Sequence, residues 1–263
     1  MEWITRSGLT LGTFPALGAI APELEVFVTT RDGGTSRSPF DSLNLGGTLG
    51  DRPSNIHRNR RLLLETLGVA PRCLARTGQI HGAEIAVVTM GGYYSGYDGF
   101  ATEKRGLALA ISTADCYSVV LYSPPERALA ALHVGRRGAG AGIIGRAVDT
   151  LRERFRIDPD YAVAIVGPGI CGRCYTVSRE DALRFPKEVR RYDRREWRLD
   201  LSAFIVRELA AHGVRKRNVF SSRLCTACTP SLFFSHRRDG GVTGRHWTLA
   251  MIRPEPDGAE RSV

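Results

Sequence analysis

The sequence predicts an α/β (α+β) sandwich in which a mixed β-sheet is flanked by helices. Short apolar runs rich in Val, Ile, Leu and Ala recur along the chain, and segments with helical spacing of apolar residues lie between some of them. With 263 residues, 43% hydrophobic and 24% charged, the chain is long and apolar enough to bury a core. We expect one domain over residues 1–253 and a loose polar tail over 254–263.

The apolar runs have the length and composition of buried strands. Short connections join the three runs between residues 107 and 132, which favours hairpins and therefore a mixed rather than a purely parallel sheet. The predicted strands are Leu24–Thr29, Ile85–Thr89, Leu107–Ser112, Tyr117–Tyr122, Ala128–Leu132, Tyr161–Val166 and His246–Ile252.

Three segments have the 3.6-residue apolar period of helices that pack on one face. The predicted helices are Ser54–Leu67, which Gly68 ends, Gly142–Phe155, and Leu201–His212, which ends at Gly213.

The net charge of +10 raises the question of a polyanionic partner. The basic residues are almost all arginine and are scattered through every segment, with no basic stripe between aromatic residues. We therefore expect no nucleic-acid partner, whereas a small anionic substrate would be attracted to such a protein. No apolar run approaches the roughly 20 residues that span a bilayer, so no membrane association is expected either.

The six cysteines are too few for a dense disulfide framework in a chain of this length. Because Pro15 interrupts the apolar stretch near the start and Glu2 stands where a signal peptide is basic, we expect the cytoplasm. Two C-x-x-C pairs, Cys171/Cys174 and Cys225/Cys228, would together make a four-cysteine zinc site. A predicted helix separates them, however, so they do not form a compact zinc ribbon, and we favour neither that site nor a redox dithiol.

Polar clusters stand at the ends of neighbouring predicted strands. Thr113–Cys116 separates two of these strands, His133–Gly138 follows a third, and Gly78–Gly82 precedes a fourth. Such side chains can meet at one edge of the fold.

Two chemistries are open to a cysteine and histidines placed in this way. Cys116 could be a nucleophile with His133 as its base. Alternatively, His81, Cys116 and His133 could bind a transition metal, with a fourth position left for water as in catalytic zinc sites. Spacing alone does not decide between these two, or between either of them and a buried structural role.

The segment Phe233–Arg245 combines a phenylalanine pair, glycines and several arginines. It reads either as a loop that presents guanidinium groups to phosphate or carboxylate, or as a surface loop of salt bridges.

Taken together, the motifs resemble the YfiH family, also called the multicopper polyphenol oxidase or laccase-domain family. Each motif is weak by itself, but their order and spacing over nearly the whole chain are specific. The matching segments are Thr29–Ser36, Ser42–Gly46, Gln79–Gly82, Asp98–Gly99, Thr113–Cys116, His133–Gly138, Gly167–Ile170, Cys174–Tyr175, Leu199–Leu201, Cys225–Thr226 and Phe234–Arg245.

This resemblance implies a sandwich similar to Cys/His deamidase toxin domains, and a metal centre with His81, Cys116 and His133 as ligands. Family members are described as purine nucleoside phosphorylases that also deaminate adenosine and cleave methylthioadenosine. The chain departs from the family in having Arg136 where tryptophan is usual and His236 where tyrosine is usual. The ligand positions are intact, whereas the substrate pocket has lost aromatic surface.

For such an enzyme we expect zinc as cofactor and a nucleoside and phosphate as small-molecule partners. Copper would bind the same ligands more tightly in the test tube. Asp115 is expected to relay a proton or to support a ligand, with support favoured. We expect the guanidinium groups of Arg137, Arg237 and Arg245 to bind the phosphate. Asn44 and Gln79 are expected to orient the substrates by hydrogen bonds.

Three other functions remain open. A hydrolase that edits peptidoglycan precursors would use the same zinc, or Cys116 as nucleophile, and the same arginines. A multicopper oxidase would need more histidines than the six present, of which His57, His212 and His246 lie in predicted helices and a strand. A basic module that only binds polyanions would need no metal and would lose affinity steeply with salt.

Overall fold

A computed structural model describes residues 1–47 and 50–254 of the chain. Its described helices are α1 (Pro53–Leu67), α2 (Arg136–Gly140), α3 (Ile143–Phe155), α4 (Arg179–Leu183) and α5 (Leu201–Ala211). Its described strands are β1 (Glu2–Arg6), β2 (Leu9–Thr13), β3 (Leu24–Thr29), β4 (Leu74–Gly78), β5 (Ile85–Val87), β6 (Gly92–Ser95), β7 (Gly99–Thr102), β8 (Ala108–Thr113), β9 (Tyr117–Ser123), β10 (Ala128–Val134), β11 (Val163–Val166), β12 (Thr176–Val177), β13 (Arg190–Asp193), β14 (Glu196–Leu199), β15 (Val219–Ser221) and β16 (His246–Ile252).

The strands form two large sheets and one small one. The first sheet has the order β1-β2-β3-β16-β8-β4-β6, the second β15-β11-β9-β10-β7-β5, and the third β12-β14-β13. Both large sheets are mixed: β4 runs parallel to β8 and β6, and β11 runs parallel to β15, whereas β16–β8 and β9–β10 are antiparallel. The predicted α+β architecture with mixed pairing is confirmed.

The two large sheets pack face to face, and helices cover their outer faces. Successive side chains of a strand point to opposite faces of its sheet, so β8 and β9 each contribute to two different layers of the core. Leu109 and Ile111 of β8 join Val120 and Tyr122 of β9 in the core between the sheets. The other face of β9 packs against α3 and α5, and the other face of β8 packs against α1. Both faces of these strands are buried, which is why their sequences are continuous apolar runs.

The predicted strands that recur in the structure shift by only a few residues at their ends, and Leu24–Thr29 and His246–Ile252 recur with the same bounds. One predicted connection is wrong. The strands β8 and β9 do not form a hairpin, because the chain leaves the first sheet after Thr113 and enters the second at Tyr117. Asp115, with a φ of 89°, makes this change of direction in the left-handed region of the backbone.

The three predicted helices are confirmed with small changes at their ends. Gly68 ends α1 in the left-handed conformation, and the side chain of Asp200 caps α5 by accepting the amide hydrogen of Ala203 at 2.9 Å. None of the helices in the described ranges is long and apolar enough to cross a bilayer. The predicted tail lies, from residue 255 onwards, outside the described residues.

Candidate metal centre and anion cavity

Three predicted metal ligands meet at one end of the second sheet. One ligand atom from each of His81, Cys116 and His133 lies within 4.8 Å of the others. The two imidazole rings are nearly perpendicular, with their centroids 4.8 Å apart. His133 is buried, Cys116 is partly buried and His81 is exposed, so the group opens to solvent on one side.

The β9–β10 hairpin brings Cys116 and His133 together. In its register Val134 pairs with Tyr117, so Gly135 lies opposite Cys116 just beyond the ladder. A Cβ atom at Gly135 would lie 2.9 Å from the Cys116 sulfur and 3.2 Å from a ring carbon of His81. Glycine at this position therefore makes room for the three ligands to converge.

Asp98, which directly precedes β7, holds the two histidines. Its buried carboxylate lies 2.7 Å from Nδ1 of His133, so Nε2 is the ring nitrogen that would bind a metal. The same carboxylate accepts the amide hydrogens of Ile80, His81 and Gly82 at 3.1, 2.9 and 2.7 Å. These bonds fix the loop that carries His81. The sequence motif Asp98–Gly99 supported the family resemblance, but no role was predicted for it.

The electrostatics favour a thiolate at Cys116. Burial by itself would raise the pKa of the thiol, but the charge and hydrogen bond of His133, with help from His81, lower it to about 6. Burial would likewise lower the pKa of His133, but the Cys116 thiolate and the bond to Asp98 raise it to about 9. The Cys116 sulfur is therefore a thiolate near neutral pH, which is the form that binds metals and acts as a nucleophile.

The donor set fits one transition-metal ion. It has one thiolate and two imidazoles, one imidazole is oriented by a carboxylate, and the open side leaves room for a further ligand. The identity of the metal does not follow from this geometry, because several divalent ions accept such ligands.

A cavity of about 740 Å³ opens in front of these ligands. Asp115 is the only carboxylate among its described lining residues. The aromatic rings of Tyr93, Tyr175 and Trp247 also contribute to its wall. Its lining arginines are Arg60, Arg76, Arg136, Arg137, Arg237 and Arg245. Such an excess of guanidinium groups favours an anionic ligand over a cationic one in the cavity.

The three predicted phosphate-binding arginines all line this cavity. The side chain of Arg137 is exposed and forms no hydrogen bond or ion pair with the described residues. Arg237 donates to the carbonyl and hydroxyl oxygens of Thr176 at 2.8 and 2.7 Å and lies over the Tyr175 ring. Arg245 donates to the carbonyl oxygens of its own loop, and burial lowers its pKa below the ordinary value.

Sequence reasoning missed Arg60 and Arg76. Arg60 lies over the Trp247 ring and donates to the carbonyl oxygen of Leu45 at 2.7 Å. Burial and then the charge of Arg76 lower the pKa of Arg60 to about 10. The sequence did contain a signal for Arg60, because this residue stands next to the apolar face of α1. A charged side chain that points toward the core usually has a partner there.

The side chains of the two predicted orienting residues, Asn44 and Gln79, are both hydrogen-bonded to the protein backbone. Asn44 is buried and is not among the lining residues; its side-chain oxygen accepts the amide hydrogen of Arg245 at 2.9 Å. Gln79 lines the cavity, but its amide group makes two hydrogen bonds of 2.8 Å with the backbone of Ser112. This clamp joins the ends of β4 and β8.

Asp115 also lines the cavity, and both of its carboxylate oxygens have partners. One accepts the hydroxyl of Thr226 and the other the amide hydrogen of Arg237, each at 2.6 Å. Its carbonyl oxygen accepts the amide hydrogen of Ile170 at 2.8 Å. These contacts favour support of neighbouring residues over proton transfer.

The two residues that depart from the family pattern both line the cavity. Arg136 forms an ion pair with Asp181, which takes its guanidinium group toward α4. His236 is exposed at the cavity rim. At these two positions the wall therefore carries a guanidinium group and an imidazole ring.

Comparison with known proteins identifies relatives over nearly the whole chain. The family described as multi-copper polyphenol oxidoreductase laccase matches residues 25–253. A purine nucleoside phosphorylase of Geobacillus stearothermophilus, YlmD, is 35% identical over 265 residues, or 94% of each chain. A purine nucleoside phosphorylase of Streptomyces coelicolor is 39% identical over 229 residues, which are 83% of this chain and 93% of the relative.

Solved structures show the same fold. The crystal structure of YlmD from G. stearothermophilus superposes with a TM-score of 0.88 and 31% identity, covering 96% of this chain and 99% of that one. The hypothetical protein YfiH of Bacillus licheniformis superposes with a TM-score of 0.85 and 28% identity, covering 94% and 97%.

Proposed function

Since the chain belongs to the YfiH family, also described as multi-copper polyphenol oxidoreductase laccase, we propose that it is a zinc-dependent purine nucleoside phosphorylase. Its substrates would be adenosine, inosine and methylthioadenosine, and it would also deaminate adenosine. The observation that carries the proposal is the cavity in which His81, Cys116 and His133 face an excess of arginines. The relatives named as purine nucleoside phosphorylases support the same assignment.

The proposed metal centre holds one zinc ion, and its protein ligands would be His81, Cys116 and His133. Two imidazoles and one thiolate with an open position suit catalytic zinc. When bound, zinc supplies a Lewis acid for an atom that gathers negative charge during the reaction. Asp98 keeps the His133 ring in the orientation that ligation requires.

In phosphorolysis a phosphate oxygen bonds to the anomeric carbon of the ribose while the bond from that carbon to the purine nitrogen breaks. Arg137, Arg237 and Arg245 would bind the phosphate and orient it, since guanidinium groups pair with two phosphate oxygens at once. Asn44 would act through Arg245, whose backbone it holds, and Gln79 through the strand ends that it joins.

The purine base would pack against the cavity wall that Tyr93 and Tyr175 form. Asp115 would serve as a positioning residue for Arg237 and for the turn that carries Cys116. For deamination, a water oxygen would bond to the six-carbon of the purine while the bond from that carbon to the amino nitrogen breaks, and the amino group would take up a proton from the water and leave as ammonia.

A second candidate is hydrolysis of an amide in an anionic peptidoglycan precursor. The observation that favours it is the thiolate character of Cys116 next to His133, because such a pair is also the arrangement of a cysteine nucleophile and its base. The arginines would bind an anionic sugar-peptide as they would phosphate. A multicopper oxidase is less well supported, since His81 and His133 are the only histidines in the metal-ligand groups of the described chain.

The test compares wild-type protein with Cys116→Ala and His133→Ala for zinc content and for turnover of adenosine with and without phosphate. Cys73→Ala is the matched control, because Cys73 packs against the core just before β4 and does not line the cavity. We expect each ligand variant to lose one zinc per chain together with formation of adenine and inosine, and the control to lose neither.

Two results would contradict the proposal. Zinc without any nucleoside turnover would favour the peptidoglycan editing enzyme. Activity that depends on Cys116 but persists in metal-free protein would indicate a cysteine hydrolase.

A further inference from the structure

The two C-x-x-C pairs, which the sequence spacing disfavoured as one site, come together in the structure. The sulfur atoms of the four cysteines all lie within 4.8 Å of one another. We call these residues the cysteine cluster. It consists of Cys171, Cys174, Cys225 and Cys228.

Backbone contacts between two turns build the cluster. Residue Gly169 forms a parallel bridge with Cys225, and the amide hydrogen of Thr226 bonds to the Gly169 carbonyl oxygen at 3.2 Å. The chain then turns at Cys171, whose carbonyl oxygen accepts the amide hydrogen of Cys174 at 2.9 Å. Long-range pairing, rather than closeness in sequence, therefore brings the pairs together.

Two contacts at the sulfur atoms are compatible with a tetrathiolate site. The amide hydrogen of Cys171 points at the sulfur of Cys225, with 3.3 Å between nitrogen and sulfur, and such amides stabilise a thiolate. The sulfurs of Cys174 and Cys228 are 3.3 Å apart. A zinc–sulfur distance of about 2.3 Å gives a tetrahedron with edges of about 3.8 Å, so one ion fits among the four sulfurs.

We propose that the cysteine cluster is a structural zinc site, separate from the candidate metal centre in the cavity. Four thiolates and no open position are typical of zinc ions that stabilise a fold, whereas catalytic sites leave a position for water. Each thiol that binds gives its proton to solvent. Cys225 is buried and Cys228 is exposed, so the ion would enter from the surface and bind at depth.

The cluster also holds one wall of the cavity. Ile170 and Tyr175, which flank the first pair, line the cavity, and Tyr175 lies under the Arg237 guanidinium group. Thr226, next to Cys225, donates to Asp115 at 2.6 Å. A zinc ion that joins the two turns would therefore fix Asp115 and Arg237 through their direct neighbours.

The test measures metal content and thermal stability of full-length protein, and it needs no nucleoside. In a Cys116→Ser background, which removes a ligand of the cavity centre, we expect about one zinc per chain to remain. The double variant Cys174→Ser/Cys228→Ser should lose that zinc, and its melting temperature should fall by about 10 °C or more. Cys73→Ser in the same background is the control and should keep both.

A second measurement protects the conclusion if the double variant does not fold. Cobalt exchanged into the Cys116→Ser protein should give the intense visible and near-ultraviolet absorption of a tetrathiolate complex. Metal-free Cys116→Ser protein, or cobalt without that absorption, would overturn the proposal. Iron bound in place of zinc would overturn the choice of metal.

These outcomes are independent of the proposed function. A zinc ion that survives in the Cys116→Ser protein supports the structural site even if the wild type turns over no nucleoside. Loss of all metal in that background, with wild-type activity on adenosine intact, would reject the structural site and leave the proposed function standing.

Discussion

At the scale of single residues, the carboxylate of Asp98 connects the parts of the candidate metal centre. It holds the ring of His133 and three consecutive amides of the loop that carries His81. Burial would raise its pKa, but the bond to His133 and those to the loop amides lower it overall, so the group stays ionised. A single side chain thereby sets the positions of two ligands.

Replacement of this carboxylate should weaken metal binding. In Asp98→Asn the charge is lost, and an amide donor must face either the loop amides or His133. We expect metal affinity in the cavity to fall about 10–100-fold, measured by competition with a chelating dye. Asp149→Asn, on the exposed face of α3, is the control. Unchanged affinity in a folded Asp98→Asn protein would contradict the role given to Asp98.

Replacement of Gly135 should also lower the metal affinity of the candidate metal centre. The Cβ atom of Gly135→Ala would press on the Cys116 sulfur and the His81 ring, so the three ligands could not close around one ion. We expect metal affinity to fall by at least about tenfold, since ligand placement within a fraction of an ångström governs metal binding. Gly140→Ala is the matched control, because its Cβ would meet only Phe185 at 3.8 Å. Equal metal content in the two purified variants would refute this prediction.

At the scale of elements, α1 reaches the cavity through a chain of amide side chains. The buried side chain of Asn59 on α1 donates to the carbonyl oxygen of Asn44 at 2.9 Å and to the hydroxyl of Ser36 at 2.9 Å. It also accepts the amide hydrogen of Thr35 at 2.8 Å. Asn44 in turn accepts the backbone amide hydrogen of Arg245, so α1 supports the backbone of that residue through Asn44.

Removal of the Asn59 side chain should affect both stability and the cavity. Asn59→Ala leaves several buried polar groups without partners, and we expect the free energy of unfolding to fall by about 2–4 kcal/mol. Phosphate affinity should also fall, because Arg245 loses its support. Chemical denaturation and calorimetric titration with phosphate measure the two effects. Arg58→Ala, exposed on the same helix, should change neither; a loss of stability of the same size there would show that the effect is not specific to Asn59.

At the scale of the whole molecule, the net charge of +10 and the arginine-lined cavity act in the same direction. The field of the molecule attracts anions toward its surface, and the cavity concentrates that field where few carboxylates oppose it. The sandwich of two sheets places this cavity at one end, where β4, β8 and β10 finish.

Phosphate binding should therefore weaken with ionic strength. We expect the dissociation constant of phosphate, measured by calorimetry, to rise by roughly an order of magnitude from low to high salt. A neutral osmolyte at equal osmolality should have little effect and serves as the control. A dissociation constant that does not change with salt would mean that binding does not depend on the cationic cavity.

Much of the fold and of the metal centre follows from local patterns. The buried strands and the three long helices show their periods within short windows, because alternation and helical spacing are properties of neighbouring residues. The meeting of Cys116 and His133 follows from one hairpin, which the short connection between two apolar runs predicts. Short or charged strands such as β13 and β14 were missed, since their pairing rather than their composition defines them.

Tertiary structure decided what depends on contacts between distant segments. The step from β8 into the second sheet depends on Asp115 being held by Thr226 and Arg237, which lie more than a hundred residues further along the chain. The cysteine cluster depends in the same way on the bridge between Gly169 and Cys225. A sequence pattern records which side chains a segment offers, whereas the free energy that brings two segments together comes from the packing of the whole core.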